Sequence, residues 1–170
     1  GQVWPAACRC AEGEAEALRG LMRERGDTHA LEAWDWRFIA EKLRQRRHAL
    51  DEAAVKPYFP LDRMVEAAFD CAQRLFGLRF VEQPALEVYH ADVKAYEVRD
   101  AGGALRGVFL HDNFARASKR SGAWMNSYRR QSRNETAVLP IVVNNNNFAK
   151  GSAGEPTLLS FDDVRTLFHE

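Results

Sequence analysis

The sequence predicts an α+β fold, in which amphipathic helices precede a small, mainly antiparallel sheet and a final helix carries His169 and Glu170. Apolar residues recur at helical spacing through the first 77 residues. From Leu78 onward the apolar segments become short, rich in β-branched and aromatic residues, and separated by glycine-rich turns. The predicted parts are therefore helices at 1–77, a small β-sheet at 78–143, a loop at 144–159 and the start of a helix at 160–170.

Cap residues and apolar stripes mark the helices of the first part. Pro5 suits a first helical turn and Gly26 a C-terminal cap. Asp27 or Thr28 is predicted to be the N-cap of a second helix. Its apolar stripe consists of Leu31, Trp34, Phe38 and Ile39. The third helix, ended by Gly77, has the clearest stripe, and we expect that stripe to pack in the core. Its members are Leu61, Met64, Val65, Ala68, Ala72, Leu75 and Phe76.

The sheet is predicted from five short segments. They are "LRFVE", "VKAYEVR", "LRGVFLH", "AWMNSY" and "VLPIVV". Gly102 and Gly103 lie between the second and third segments and predict a hairpin turn. Pro140 is expected to force the last segment to an edge or a bulge, because proline lacks the N–H that a central strand needs. The four asparagines that follow favour a loop.

The final helix has a start signal and no stop signal. Ser160 is a good N-cap, and Asp162 and Asp163 place negative charge at the positive end of the helix dipole. Neither glycine, proline nor a basic last turn follows the apolar residues Val164 and Phe168. The capping pattern therefore predicts a helix that continues beyond Glu170.

Composition excludes some functions and disfavours others. The 24 basic and 24 acidic residues cancel, which argues against a dominant polyanion-binding role. No apolar run approaches the roughly 18 residues that span a bilayer, and the first residues lack a signal-peptide pattern. The odd set of three cysteines, Cys8, Cys10 and Cys71, predicts reduced thiols and a cytoplasmic protein. We therefore expect no membrane partner.

Two further patterns have competing interpretations. "KRSGAWMNSYRRQSR" interleaves basic and aromatic residues, as some single-stranded nucleic-acid sites do. The neutral chain and the lack of a nucleic-acid motif favour instead a solvated basic face or a peptide-binding loop, so we expect no nucleic-acid partner. The other histidines share no metal-ligand spacing and are expected to be surface or hydrogen-bonded residues. These are His29, His48, His90 and His111.

His169-Glu170 admits two interpretations of its own. It is either an ordinary polar helix end or the first half of an H-E-x-x-H motif. In that motif two histidines lie one helical turn apart on one face and bind a zinc ion, while the glutamate accepts a proton from zinc-bound water. A dipeptide alone does not separate these alternatives.

Longer stretches resemble a known family. The segment that begins "WDWRFIAEKLRQRRHALDEAAVKPYFP", and then "VYHADVKAYEV", "FLHDNFARASKRSGAWM" and "AGEPTLLSFDDVRTLFHE", are similar in order to the thimet oligopeptidase family, nearest its bacterial peptidyl-dipeptidase branch. The resemblance runs from about Trp34 to Glu170 and implies a partial catalytic domain of a zinc metallopeptidase that acts on short peptides. It implies that His169 is a zinc ligand and Glu170 the general base, with the other ligands beyond the chain end.

The resemblance also implies a substrate-binding sheet edge. "SGAWM" is its best match, so Gly122, Ala123 and Trp124 are candidate substrate-binding residues through their backbone groups. The alternative for Trp124 is a plain core aromatic. Asp112 and Arg116 match a D-x-x-x-R stretch of the family and are expected to pair near the cleft.

One imidazole is too few to hold catalytic zinc, which usually has three protein ligands. The expectation is therefore that the isolated chain is inactive and binds zinc weakly at best. The alternative is a non-catalytic peptide-binding or assembly module that uses the edge strand near Gly122. Self-association is expected if a surface meant for the cleft is exposed.

Overall fold

The structure, a computed structural model, describes residues 3–49 and 52–170. It divides into two compact units, residues 1–54 and 55–170. Residues 1, 2, 50 and 51 of the predicted helical part lie outside the described residues. In the described part of the chain, no helix is both long enough and apolar enough to cross a membrane. Cys8, Cys10 and Cys71 are free thiols.

The first unit is built on two helices, α1 (Val3–Arg25) and α2 (Asp35–His48). The short helix α3 (Glu52–Val55) runs across the boundary between the units. The N-cap of α2 is Trp34, so the predicted cap at Asp27 or Thr28 is wrong by seven or six residues. Of the predicted stripe, Leu31 and Ile39 pack in the core of this unit, whereas Trp34 and Phe38 are exposed, so the stripe is wrong at those two positions. The cations of Arg25 and Lys42 lie over the Phe38 ring instead. The residues of α2 that pack toward α1 are Trp36, Ile39, Ala40 and Leu43, which also have helical spacing.

The second unit begins with a 3₁₀ turn (Lys56–Tyr58) and α4 (Leu61–Phe76). Gly77 ends α4 in the left-handed conformation, as predicted. Leu61 and Val65 of the predicted stripe are buried. Leu75 and Phe76 are 73% and 72% exposed, so the expectation of core packing is wrong at the C-terminal end of the helix.

Seven strands follow α4: β1 (Arg79–Glu82), β2 (Val93–Arg99), β3 (Leu105–Phe114), β4 (Trp124–Arg129), β5 (Ser132–Arg133), β6 (Ala137–Val138) and β7 (Ile141–Phe148). The main sheet has the order β1-β2-β3-β7-β4, and β5 and β6 form a separate ribbon. Only the β3–β7 pairing is parallel among the pairs of the described sheet. The α+β prediction with a mainly antiparallel sheet is thus confirmed, as is the hairpin at Gly103, which has φ +84°.

The predicted loop at 144–159 is wrong at its start. Asn144 and Asn145 form ladder pairs inside the sheet, opposite His111 and Asp112 on one side and Met125 and Trp124 on the other. Pairing on both sides of β7 outweighs the local preference of asparagine for turns. The prediction for Pro140 is also wrong, because this residue stands just before an inner strand, where no ladder N–H is required of it.

The last helix, α5 (Phe161–His169), packs with α4 and β7. Their shared core consists of Leu61, Val65, Phe148, Leu159 and Leu167. The segment before α5 is tied to the start of α4 by two backbone hydrogen bonds. Leu61 N donates to Thr157 O at 2.8 Å, and Leu159 N donates to Phe59 O at 2.9 Å. These contacts fix the place from which α5 leaves the core.

Candidate active site beside an edge strand

His169 and Glu170 lie at the C-terminal end of α5. The helix begins with a full capping box: Asp163 N donates to Ser160 Oγ at 3.1 Å, and Ser160 N donates to Asp163 Oδ2 at 2.9 Å. Leu167 is buried in the core, whereas His169 is exposed and Glu170 is half-buried. The cap and the core contact therefore hold the helix, and its last two side chains remain at the surface.

Strand β4 forms one edge of the main sheet. It pairs with β7, with Trp124 opposite Asn145 and Met125 opposite Asn144, and no strand in the described part of the chain pairs with its other side. Its outward N–H and C=O groups are therefore available for an added strand. Gly122 precedes it with φ +87°, a conformation that favours glycine, and a Cβ there would meet no other atom within 4 Å.

Ala123, the residue just before the edge strand, and the end of α5 line one surface depression. This depression, of about 780 Å³, is lined by Ala123 together with Phe168, His169 and Glu170. A neighbouring and mostly apolar cavity of about 750 Å³ is lined by the same end of α5, by Met125, and by the exposed Leu75 and Phe76. The predicted residues Ala123, His169 and Glu170 thus share one depression. Gly122 and Trp124 flank Ala123 in the chain but do not line it.

Trp124 is half-buried and stacks under the Arg120 guanidinium, whose centre lies 4.4 Å from the ring. Trp124 is therefore not a core aromatic, and its ring is not fully open to solvent either.

Lys119, which belongs to the same basic and aromatic stretch, has a side chain that is only 4% exposed. The predicted solvated basic face is therefore wrong for Lys119.

A buried polar cluster lies behind this edge. Asp112 is fully buried and accepts hydrogen bonds from both terminal nitrogens of Arg116 at 2.7 Å, which confirms the predicted pair. It also accepts from Tyr89 Oη at 2.9 Å and Lys119 Nζ at 3.2 Å. Burial acts to raise the pKa of Asp112, but these hydrogen bonds outweigh it and hold the pKa below its usual value. Burial and the adjacent carboxylate raise the pKa of Tyr89.

Two residues of the site were missed by the sequence analysis. Lys119 Nζ donates to the backbone oxygens of Asp112 at 3.1 Å and Phe114 at 3.0 Å, and also to Asn146 O. Asn147 Nδ2 donates to Arg120 O at 2.8 Å and to Gly122 O at 2.6 Å. No signal in the sequence separates Asn147 from the three asparagines before it, because its partners are backbone atoms about 25 residues away.

The zinc site that the resemblance implies needs several protein ligands close together. Residues 3–49 and 52–170 contain no group of three or more His, Cys, Asp or Glu side chains that could hold a metal ion. His169 supplies one imidazole, and a catalytic zinc usually takes three protein ligands. The residues described therefore do not form a zinc site by themselves.

Comparison with known proteins settles the family. Residues 3–170 match Peptidase family M3. The chain belongs to this family. It is 44% identical to the dipeptidyl carboxypeptidase of Salmonella typhimurium, over 100% of this chain and 25% of that protein. It is 34% identical to oligopeptidase A of Escherichia coli, over 94% of this chain and 24% of that protein.

The resemblance to the thimet oligopeptidase family is thus confirmed, with relatives named dipeptidyl carboxypeptidase and oligopeptidase A. The dipeptidyl carboxypeptidase of E. coli is 42% identical, over 99% of this chain and 25% of that protein. The chain spans about a quarter of the length of the M3 relatives it matches.

Proposed function

We propose that the chain is the N-terminal part of the catalytic domain of a zinc-dependent oligopeptidase or peptidyl-dipeptidase that hydrolyses peptide bonds in short peptides. The observation that supports this most is the depression shared by His169, Glu170 and Ala123, the residue just before the edge strand. Membership of Peptidase family M3 agrees with it. A cytoplasmic location is part of the proposal and rests on the three free thiols.

In this proposal each element has one task. The segment Gly122, Ala123 and Trp124, which leads into the outward edge of β4, binds an extended peptide by strand addition. His169 is one zinc ligand, and the remaining ligands come from residues outside this chain. Glu170 is the general base that takes a proton from the attacking water. By itself the 170-residue chain then hydrolyses nothing and binds zinc weakly.

The reading frame beyond codon 170 provides the first test of the catalytic role. We expect two further residues and then a histidine, which would complete the H-E-x-x-H spacing on the same helix face. A stop codon directly after Glu170 would contradict the catalytic proposal. Calorimetric titration of the isolated chain with zinc is expected to show no tight stoichiometric binding. A nanomolar one-to-one complex of the monomer would contradict the proposal that the remaining zinc ligands come from residues outside this chain.

Peptide binding provides a second test, and it requires no metal. A fluorescent extended peptide is titrated with the chain in the presence of a chelator, and Gly122→Pro is expected to abolish the binding. Gly154→Pro is the matched control, because Gly154 has φ +85° and equally open surroundings in a different loop. Equal loss in both variants would show that backbone strain, rather than the β4 edge, is responsible.

The second candidate function is a non-catalytic peptide-binding or assembly module. It is favoured by the exposed Leu75 and Phe76, which line an apolar cavity next to the same edge strand. Exposed apolar surface of this kind promotes self-association. The two candidates differ in one respect: the module binds peptides and assembles without any continuation of the final helix.

A further inference from the structure

The connection between β3 and β4, residues 115–123, decides where the edge strand begins. Strand β7 lies between β3 and β4 in the sheet, and it is parallel to β3 and antiparallel to β4. The connection therefore has to pass the C-terminal end of β7 before it enters β4. Asn147 lies at that end of β7.

The side chain of Asn147 is bonded to this connection twice. Its amide nitrogen donates to Arg120 O at 2.8 Å and to Gly122 O at 2.6 Å, so each of its two N–H groups has one carbonyl acceptor. The connection is also held just before these contacts, because Lys119 Nζ donates to three backbone oxygens at the ends of β3 and β7. The next residue after Gly122 is Ala123, which lines the depression with His169 and Glu170.

We propose that Asn147 is a positioning residue of the peptide-binding edge. Its amide fixes the carbonyls of Arg120 and Gly122, and this sets the place and direction in which Ala123 enters β4 beside the end of α5. The consequence for peptides rests on the proposed function, whereas the positioning of the strand does not.

The amide chemistry of Asn147 is specific for this task. Two carbonyl oxygens that point at the same side chain require two N–H donors, and asparagine supplies both from one nitrogen. An ionised aspartate has the same shape and no donor, so it would set a negative charge against two carbonyl oxygens. Asn147→Asp therefore removes the interaction with minimal change in volume.

Hydrogen exchange followed by NMR tests the positioning directly. In Asn147→Asp of the 170-residue chain, the amides of residues 122–126 are expected to exchange at least tenfold faster, while those of the β2–β3 hairpin keep their rates. Asn134→Asp is the matched control: Asn134 is exposed in the turn between β5 and β6, and it belongs neither to the connection nor to β4. Unchanged exchange at residues 122–126 in Asn147→Asp would overturn the proposal.

Peptide affinity tests the consequence. Asn147→Asp is expected to weaken binding of the extended peptide at least tenfold, and Asn134→Asp to leave it within twofold. Asn146→Ala serves as the stability control, because Asn146 is fully buried and its amide donates to Asn113 instead of the connection. It is expected to lower the urea midpoint and to keep the affinity of the folded protein.

The outcomes separate the two proposals. If the unsubstituted chain binds no peptide while Asn147→Asp still loosens residues 122–126, the proposed function fails and the positioning role stands. If the unsubstituted chain binds peptide and Asn147→Asp binds it equally well, the positioning role fails. If Asn147→Asp does not fold, Asn147→Ser takes its place, since its hydroxyl keeps one donor and the same comparison of exchange rates applies.

Discussion

Protonation of His111 is expected to destabilise the fold. The His111 ring lies on β3, is 3% exposed, and packs against Phe109 with 5.4 Å between ring centroids. Burial lowers the pKa of His111 from 6.5 to about 4, and the cations of Lys94 and Lys119 act in the same direction. Asp112 opposes them without reversing the shift. The folded chain therefore keeps a neutral imidazole over a range in which the unfolded chain is protonated.

The sign and size of the pH effect on the free energy of unfolding follow from the difference in proton binding between the folded and unfolded states. Between pH 6.5 and about 4 the unfolded state binds one more proton at His111, so the free energy of unfolding falls as the pH falls. Each pH unit of pKa difference corresponds to about 1.4 kcal/mol, and the whole window to about 3 kcal/mol. Since the pKa of Asp112 is held below its usual value of 3.8, its own titration lies outside this window.

Urea unfolding measured from pH 7 to pH 4, with NMR signals of β3 as the probe, checks this prediction. The chain is expected to lose about 3 kcal/mol, and His111→Asn to lose less than about 1 kcal/mol over the same range. His90→Asn is the matched control, because the His90 side chain is 41% exposed, and it should behave like the unsubstituted chain. The reasoning is refuted if His111→Asn keeps the full pH dependence, or if the His111 ring titrates near pH 6.5 in the folded protein.

Three further predictions concern stability and association. Lys119→Met leaves a buried carboxylate and three carbonyls short of a donor and is expected to cost about 3 kcal/mol or more in urea unfolding. Lys150→Met, at an exposed ion pair, should cost less than about 1 kcal/mol, and equal costs would contradict the assigned burial. Ser160→Ala breaks the capping box and should lower stability by about 1 kcal/mol, so an unchanged urea midpoint would count against the cap. Phe76→Ser should reduce self-association in sedimentation runs, whereas Tyr58→Ser, equally exposed outside the cavity, should not; a monomeric parent chain at high concentration would disprove this.

Local signals explain what was predictable in the fold. The stripe of α4, the left-handed Gly77 and the cap at Ser160 each depend on residues within one or two helical turns. The hairpin at Gly103 depends on four or five residues. Interactions over such short distances act in the same way in almost any fold, so the sequence pattern is sufficient to locate them.

Tertiary context decided the elements that were mispredicted. The asparagines of β7 favour turns when considered alone, but β3 and β4 pair with them from both sides. In α2 the choice between Phe38 and Ile39 as the inward residue depends on how α1 lies against the helix. Leu75 and Phe76 continue the apolar stripe of α4, but the described residues of the second unit do not bury them.

The candidate site shows the same difference between residues that the sequence predicts and residues whose contacts depend on the tertiary structure. The resemblance identified His169, Glu170 and the segment at Gly122, and the structure brings Ala123 to the same depression as the first two. Neither the role of Lys119 nor that of Asn147 was predictable, because both bind backbone oxygens. Any residue type can present a backbone oxygen, so the sequence gives no sign of such a partner.

Strand β7 links the two halves of the site. Its last two residues act on different elements: the Asn147 amide holds the connection that leads into β4, and Phe148 packs in the core with Leu159 and Leu167 of the α5 region. The positions of Ala123 and His169 therefore both depend on contacts with the C-terminal end of β7, a strand that is paired on both sides. Because packed cores and ladder pairs are stiff, the distance between the start of the edge strand and the end of α5 is set by adjacent residues of one rigid element. The proposed function requires such an arrangement, because a peptide held at the edge strand would have to lie at a fixed distance from His169 and Glu170.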